Sequence, residues 1–128
     1  MNLLREYIAL ALLLCATMVA DAGQLYLVTD RFLGSIHRLE DLNGDGDALD
    51  VGERLLWGNG LSNAAELAVY ESGILVLDSV ADRALYYEDL NLDGDALDVG
   101  ESVPWADGFT NPAGIDVGLD GSVFLSDF

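Results

Sequence analysis

The chain has 128 residues, of which 23 are acidic and five are lysine or arginine, so its formal net charge at pH 7 is −18. This excess of negative charge excludes nucleic acid and anionic lipid surfaces as partners, because both repel an acidic protein. The single cysteine, Cys15, excludes a disulfide within the chain. A small domain without a disulfide commonly needs another source of stability, and a bound metal ion can provide it.

Residues 1–22 have the pattern of a Sec-type signal peptide. A short basic start ends at Arg5, an apolar run covers 8–20, and Ala20 and Ala22 form a small-x-small cleavage site. The run is too short to serve as a membrane anchor, and Leu14 is the wrong size for lipoprotein cleavage before Cys15. We therefore expect cleavage after Ala22, no stable membrane span afterwards, and a location outside the cytoplasm (secreted, periplasmic or on the cell surface). The mature chain then carries four basic and 21 acidic residues, a formal charge of −17.

After Gly23 the sequence predicts only short β-strands separated by turns rich in Gly, Asn and Asp. In chain order the predicted strands cover residues 24–29, 36–40, 54–57, 66–70, 74–77, 84–88, 102–105, 115–117 and 123–125. No segment in this part of the chain has a sustained helical period. We therefore predict an all-β fold with antiparallel pairing.

An acidic segment occurs twice in the chain, at 41–53 and again 48 residues later at 89–101. The two copies are identical at 12 of 13 positions and differ only at Gly44 and Leu92. The sixteen residues that follow each copy match at only five positions. If the whole unit had been duplicated recently, both stretches would agree equally well. We take a bound hard cation as the constraint that keeps the acidic segments alike.

The acidic segments resemble the calcium loops of EF-hand proteins, in which oxygen ligands come from positions 1, 3 and 5, from the carbonyl of position 7, and from a carboxylate near position 12. A glycine at position 6 permits the sharp turn that such a loop requires. The residues at positions 1, 3, 5 and 7 are Asp41, Asn43, Asp45 and Asp47 in the first loop and Asp89, Asn91, Asp93 and Asp95 in the second. Only oxygen ligands are offered, which favours Ca²⁺ over metals that prefer nitrogen or sulfur.

The residue that would close each calcium site is left open by the sequence. The glutamates Glu53 and Glu101 stand at position 13, one residue late, and the aspartates Asp50 and Asp98 stand at position 10. The loops are placed between predicted strands and not between two helices. They resemble dockerin-like and other noncanonical calcium loops of exported bacterial proteins. The alternative is an acidic surface hairpin, because Asp, Asn and Gly are ordinary turn residues.

The repeat also resembles the blades of NHL-type β-propellers. Residues 111–127 contain an Asn-Pro-x-Gly turn, a strand, an Asp-Gly hairpin and a strand that ends in Asp127, and residues 78–86 continue the pattern with Arg83 at the position of the blade arginine. The first unit departs from the pattern, with Ser35 at that position and Asn63-Ala-Ala-Glu in place of Asn-Pro-x-Gly. The resemblance implies two 48-residue blades over 23–128 and the start of a third.

Two functions are compatible with this resemblance. The first is an exported, calcium-binding propeller module without catalytic activity that binds a protein or a glycan. The second is part of a propeller enzyme such as a lactonase or a sugar dehydrogenase. A closed propeller needs at least four blades, so we expect a truncated third repeat in a piece of a larger propeller, an open two-blade domain, or a ring assembled from several chains.

Three single residues are considered as functional candidates. His37 is not part of a motif with a serine or cysteine nucleophile, so no catalytic role is assigned to it. Trp57 and Trp105 are expected to pack in the core.

Overall fold

The computed structural model describes residues 24–128, and the predicted signal peptide lies outside the described residues. Nine strands follow one another along this range: β1 (Leu25–Asp30), β2 (Ser35–Glu40), β3 (Arg54–Gly58), β4 (Ala64–Tyr70), β5 (Gly73–Asp78), β6 (Arg83–Tyr87), β7 (Ser102–Asp107), β8 (Pro112–Val117) and β9 (Val123–Asp127). Between residues 24 and 128 there is no apolar helix of membrane-spanning length. The predicted all-β class is confirmed.

The strands form three antiparallel sheets in which every strand pairs with its neighbour along the chain. The first sheet has the order β1-β2-β3, the second β4-β5-β6-β7, and the third β8-β9. By their 48-residue offset, β1, β2, β3 and β4 are equivalent to β5, β6, β7 and β8. Among the described residues, the second sheet is therefore a complete repeat of four strands, the first sheet has the last three strands of a repeat, and the third sheet has the first two.

All nine predicted strands are present, and the differences lie at their ends. Strand β4 begins at Ala64, two residues before the prediction, because the carboxylate of Asp78 accepts hydrogen bonds from the amides of Ser62 and Asn63 at 2.8 and 2.9 Å. These bonds fix the turn, so that the strand starts directly after it. Strand β6 ends at Tyr87, one residue early, where the chain turns into the second acidic segment.

The second sheet lies between the other two, and its central strands β5 and β6 are largely buried, whereas β7 is largely exposed. Along β5 alternate side chains point to opposite faces, as the two-residue period of a strand requires. Ile74 and Val76 pack toward the first sheet, whereas Leu75 and Leu77 pack toward the third. Burial of such side chains contributes roughly 1.5–3 kcal/mol each, so the contacts between sheets are a main source of stability.

The contact between the first and second sheets is built around two aromatic side chains. Trp57 of β3 and Tyr87 of β6 lie with their ring centroids 6.5 Å apart, and both are buried. Around them pack Ile36, Leu61, Ala64, Leu85 and Ala96. Ala96 belongs to the second acidic segment, which is therefore part of this core. The expectation that Trp57 packs in the core is confirmed, whereas the same expectation for Trp105 is wrong, because the Trp105 side chain is 39% exposed and contacts the Tyr70 ring near the edge of the second sheet.

Candidate metal loops

Each acidic segment forms a loop that joins two neighbouring strands of a sheet. The first loop connects β2 to β3, and the second connects β6 to β7. At the base of each loop a backbone hydrogen bond of 2.9 Å closes the ring, from the Glu40 amide to the Glu53 carbonyl and from the Glu88 amide to the Glu101 carbonyl. The sheet therefore fixes where each loop begins and ends.

The position-13 glutamates are buried inside their loops. One carboxylate oxygen of Glu53 accepts a hydrogen bond from the Leu42 amide at 2.9 Å, and the other accepts from the Asp50 amide at 3.1 Å. Glu101 is held in the same way by the amides of Leu90 and Asp98, at 2.8 and 3.0 Å. Each glutamate thus ties the start of its loop to its end through backbone amides.

Along each loop the side chains at positions 1, 3, 5 and 7 accept hydrogen bonds from amides further along. Position 1 binds the amide of position 6, and positions 3, 5 and 7 each bind the amide two residues ahead, which is the pattern of consecutive Asx turns. In the first loop these bonds measure 2.9, 2.9, 3.1 and 3.0 Å. In the second loop the corresponding bonds measure 2.9, 3.0, 3.2 and 3.0 Å. The two loops therefore share this series of turns, although the other position-1 oxygen accepts from the Gly44 amide in the first loop and from the Asp93 amide in the second.

The structure brings the position-3 asparagine between two carboxylates in both loops. The side-chain nitrogen of Asn43 lies 3.2 Å from Asp45 and 2.5 Å from Asp50. In the second loop the corresponding distances from Asn91 are 3.1 Å to Asp93 and 2.6 Å to Asp98. A positively polarised NH₂ group therefore occupies the point at which two negative side chains of each loop meet.

Other predicted ligands are not brought to that point. The position-7 side chains bind the amide of position 9, and the position-13 carboxylates face the amides at the loop ends. Over residues 24–128 no three His, Cys, Asp or Glu side chains are arranged together as metal ligands. An EF-hand type site does not need three such side chains together, because an asparagine side chain and a backbone carbonyl also serve as ligands.

The single sequence difference between the loops does not change their backbone. Gly44 has φ 77° and Leu92 has φ 62°, so position 4 is left-handed in both copies. This conformation costs a glycine little, but a leucine roughly 1–2 kcal/mol. The second loop therefore keeps the shape of the first at the expense of local strain.

The two loops differ in their surroundings. The amide of Ala96 in the second loop donates a 2.7 Å hydrogen bond to the carbonyl oxygen of Trp57, and the Ala96 side chain is only 2% exposed. The guanidinium of Arg38 also reaches the carbonyl oxygen of Gly94, at 3.5 Å. In the first loop the equivalent residue, Ala48, is half-exposed. Sequence reasoning missed this contact; the only available signal was an alanine at position 8 of both loops.

The aspartates that end the second strand of a repeat hold the preceding turn. Burial alone would raise the pKa of Asp78, but hydrogen bonds from the amides of Ser62, Asn63 and Ala81 and from Arg83 outweigh it and hold the pKa below its ordinary value. Asp127 likewise accepts from the amides of Thr110 and Asn111. Asp78 and Asp127 therefore act as turn caps.

Neither comparison with known proteins finds a relative, since no family model and no curated protein matches the chain.

Proposed function

We propose that this protein is an exported, calcium-stabilised module of the β-propeller type that binds a protein or glycan without catalysing a reaction. The observation that carries the calcium proposal is the repeated arrangement of the two loops. In both, an asparagine amide lies between the carboxylates of positions 5 and 10, and the other side chains form the same series of Asx turns.

The donor groups fit a calcium ion. The side chains of Asp41, Asn43 and Asp45 and the carbonyl of Asp47 would supply oxygen ligands, as would their equivalents in the second loop. Because both oxygens of Glu53 already accept backbone amides, Asp50 is the better candidate for the closing ligand, and Asp98 for the second loop. A bound Ca²⁺ would offset the repulsion among five acidic side chains in each loop.

The propeller part of the proposal rests on how the sheets follow one another. The first and second sheets meet through β1 and β4, and the second and third sheets meet through the equivalent strands β5 and β8. Four-stranded antiparallel sheets stacked by a repeated contact are the building plan of propeller blades. A groove of about 730 Å³ between β4 and β8, lined by Glu66, Asp116 and Phe124 among others, is the surface to which we assign the ligand.

Isothermal titration with CaCl₂ tests the calcium sites. We expect about two Ca²⁺ per chain, one for Asp45→Ala or Asp93→Ala, and none for the double variant, because each substitution removes one position-5 ligand. Asp116→Ala removes the same charge outside the loops and should leave the stoichiometry unchanged. Undiminished binding by the double variant would refute the assignment of the loops.

A further inference from the structure

The exposed face of the first sheet contains a cavity that is bordered by the first acidic loop. Its volume is about 440 Å³, which lies within the usual range of small-molecule sites, about 300–1,000 Å³. Val28 and Leu39 line it from the sheet, and Ala48 and Leu49 line it from the loop. The Val28 side chain is 43% exposed, so among residues 24–128 this face is open to solvent. The cavity is separate from the groove between β4 and β8.

Three basic side chains line the same cavity, although the protein as a whole is strongly acidic. They are Arg31, His37 and Arg54. At the equivalent positions of the second repeat, 48 residues later, the chain has Ser79, Leu85 and Ser102. The apolar residues Val28, Ala48 and Leu49 recur unchanged at that offset. The first sheet is therefore basic at positions where the second repeat is neutral.

The arginines of this cavity have no counter-ion within the described part of the chain. Of the four arginines between residues 24 and 128, Arg38 and Arg83 each pair with a carboxylate of their own sheet. Arg31 and Arg54 form no salt bridge with a carboxylate in this range. The chain has 23 acidic residues, and yet both of these arginines line one cavity. This arrangement indicates that an anion from outside the chain supplies the missing charge.

Arg54 and His37 are placed to act on the same ligand group. Arg54 lies opposite Leu39 in the pairing of β2 with β3, so Arg54 and His37 are diagonal neighbours on one face of the sheet. Long side chains at diagonal positions can reach each other. A guanidinium can bind a carboxylate through two parallel hydrogen bonds. The His37 Nε2 atom lies 3.1 Å from Oγ of Ser35, which leaves Nδ1 as the other hydrogen-bonding atom of the ring.

Arg31 stands at the other end of the cavity. Its Nε donates a 2.8 Å hydrogen bond to Oδ1 of Asn63, which holds the guanidinium and does not use its two terminal nitrogens. Asp30 also lines the cavity, but its carboxylate accepts two backbone amides of the turn that follows. The loop carboxylates of Asp47 and Asp50 are bonded within the loop and do not line the cavity. The lining therefore carries two arginines against one carboxylate.

We propose that this cavity binds a small organic molecule that carries a carboxylate on an apolar body. Arg54 binds the carboxylate, and Arg31 adds a second positive charge to the cavity. Val28, Leu39 and Leu49 pack against the apolar body, so their surface is removed from water. Acidic groups further away oppose the approach of the anion only weakly, because charges are screened over about 8 Å at physiological ionic strength. Binding at this site requires no metal ion.

Titration with sodium benzoate tests the proposal on the ¹⁵N-labelled protein, as the cell processes it, at fixed calcium concentration and ionic strength. We expect the backbone amide signals of Leu39, Ala48 and Arg54 to shift and to saturate. Benzamide has the same shape without the charge, and inorganic phosphate has charge without the apolar body. Both should bind at least about tenfold more weakly than benzoate. No saturable shift with benzoate, or equal binding of either control, would overturn the proposal.

Substitution of Arg54 tests which group holds the carboxylate. Arg54→Gln should weaken benzoate binding at least about tenfold, because the charge-assisted hydrogen bonds are lost. Arg54→Lys keeps the charge without the two parallel donors and should fall between Arg54→Gln and the unaltered chain. Arg38→Gln makes the same change in net charge on the opposite face of β2 and should bind benzoate normally. Circular dichroism checks that each variant is folded. Unchanged binding by Arg54→Gln, or an equal loss in Arg38→Gln, would refute the role of Arg54.

The second repeat supplies a variant in which the whole site is exchanged. Arg31→Ser, His37→Leu and Arg54→Ser together give the first repeat the residues that the second repeat has at these positions. Because the second repeat accommodates them at equivalent places, we expect the fold to persist and benzoate binding to be lost. Retained binding by the folded triple variant would place the anion elsewhere on the molecule and would overturn the proposal.

Discussion

The backbone amide of Ala96 and the carbonyl oxygen of Trp57 lie 2.7 Å apart and form a hydrogen bond that attaches the second acidic loop to the sheet of the preceding repeat. The loop is thus part of the packing between the first two sheets. In contrast, the equivalent alanine of the first loop, Ala48, is only half-buried. The same thirteen-residue segment is therefore found in two environments within one chain, which makes matched substitutions in the two copies informative.

Substitution of the position-8 alanine should affect the two loops unequally. Ala96→Leu forces extra volume against Trp57 and should lower the free energy of unfolding by about 1–3 kcal/mol. Ala48→Leu adds the same volume at a half-exposed position and should change it by less than about 0.5 kcal/mol. Urea unfolding of both variants measures the two changes. Equal losses would mean that loop 2 does not depend on its contact with the first sheet.

The buried position-13 glutamates should be sensitive to a change of one atom. Glu101→Gln replaces a carboxylate oxygen by an NH₂ group, which cannot accept from the Leu90 or Asp98 amide. A buried amide left without an acceptor costs about 1–3 kcal/mol, so unfolding should require correspondingly less urea. The control is Glu71→Gln in the exposed turn between β4 and β5, which we expect to be neutral. A neutral Glu101→Gln would show that the glutamate does not hold the loop.

Position 4 offers a reciprocal exchange between the two loops. Gly44→Leu introduces the strain of a left-handed leucine and should destabilise the protein by about 1–2 kcal/mol, whereas Leu92→Gly should relieve that strain. The gain from Leu92→Gly is smaller, about 1 kcal/mol or less, because glycine also loses more backbone entropy on folding. Thermal melting followed by circular dichroism measures both changes. Shifts of the same sign would contradict the assigned backbone conformation.

Calcium should stabilise the folded chain beyond what charge screening does. If each loop binds one ion only when folded, each site adds about 2.7 kcal/mol at ~100 times its dissociation constant. We expect the melting temperature in millimolar CaCl₂ to exceed that in EDTA at the same ionic strength. Magnesium serves as the control, because it fits a flexible oxygen cage poorly. An equal shift of the melting temperature with magnesium would mean that the effect is charge screening. No shift with calcium would mean that the loops do not contribute to stability by binding calcium.

Asp78 should contribute a pH-dependent part of the stability. Because the folded state lowers the pKa of its carboxyl, its contribution is fully present above the unfolded pKa of about 3.9 and is lost as the pH falls through the folded value. Asp78→Asn removes this titration and should cost about 1.5–3 kcal/mol near neutral pH, because the bonds to a charged acceptor are lost. Urea unfolding from pH 6 down to pH 3 should show the gap between the two proteins closing. A constant gap would contradict the role of the charge.

Mass spectrometry of the exported protein checks the predicted signal peptide. We expect a mature N-terminus at Gly23, because Ala20 and Ala22 meet the small-residue requirement of the cleavage site. Ala22→Leu should block cleavage and keep residues 1–22 attached. A cytoplasmic protein that retains Met1 would contradict the prediction of export.

The sequence predicted local structure well because local structure follows from short patterns. Alternating apolar residues and Gly/Asn/Asp turns located all nine strands, and the acidic segments fell between neighbouring strands as expected. The contacts between repeats were not predictable in this way. Nothing in an alanine such as Ala96 marks it as buried, since its burial depends on which sheet lies opposite. The sequence also left open whether Asp50 or Glu53 closes the first loop, and nothing in it indicated that both carboxylate oxygens of Glu53 accept backbone amides.

The attachment of Ala96 to Trp57 places a further constraint on the sequence of the second acidic segment. A residue in such a loop has to suit the loop's own turns and also the sheet against which the loop is placed. Few substitutions satisfy both requirements at once, so most mutations in the segment would be removed by selection. At most positions the flanking strands only have to pack against a neighbouring sheet. One apolar residue can therefore replace another there. The second loop would therefore change more slowly than the strands that flank it.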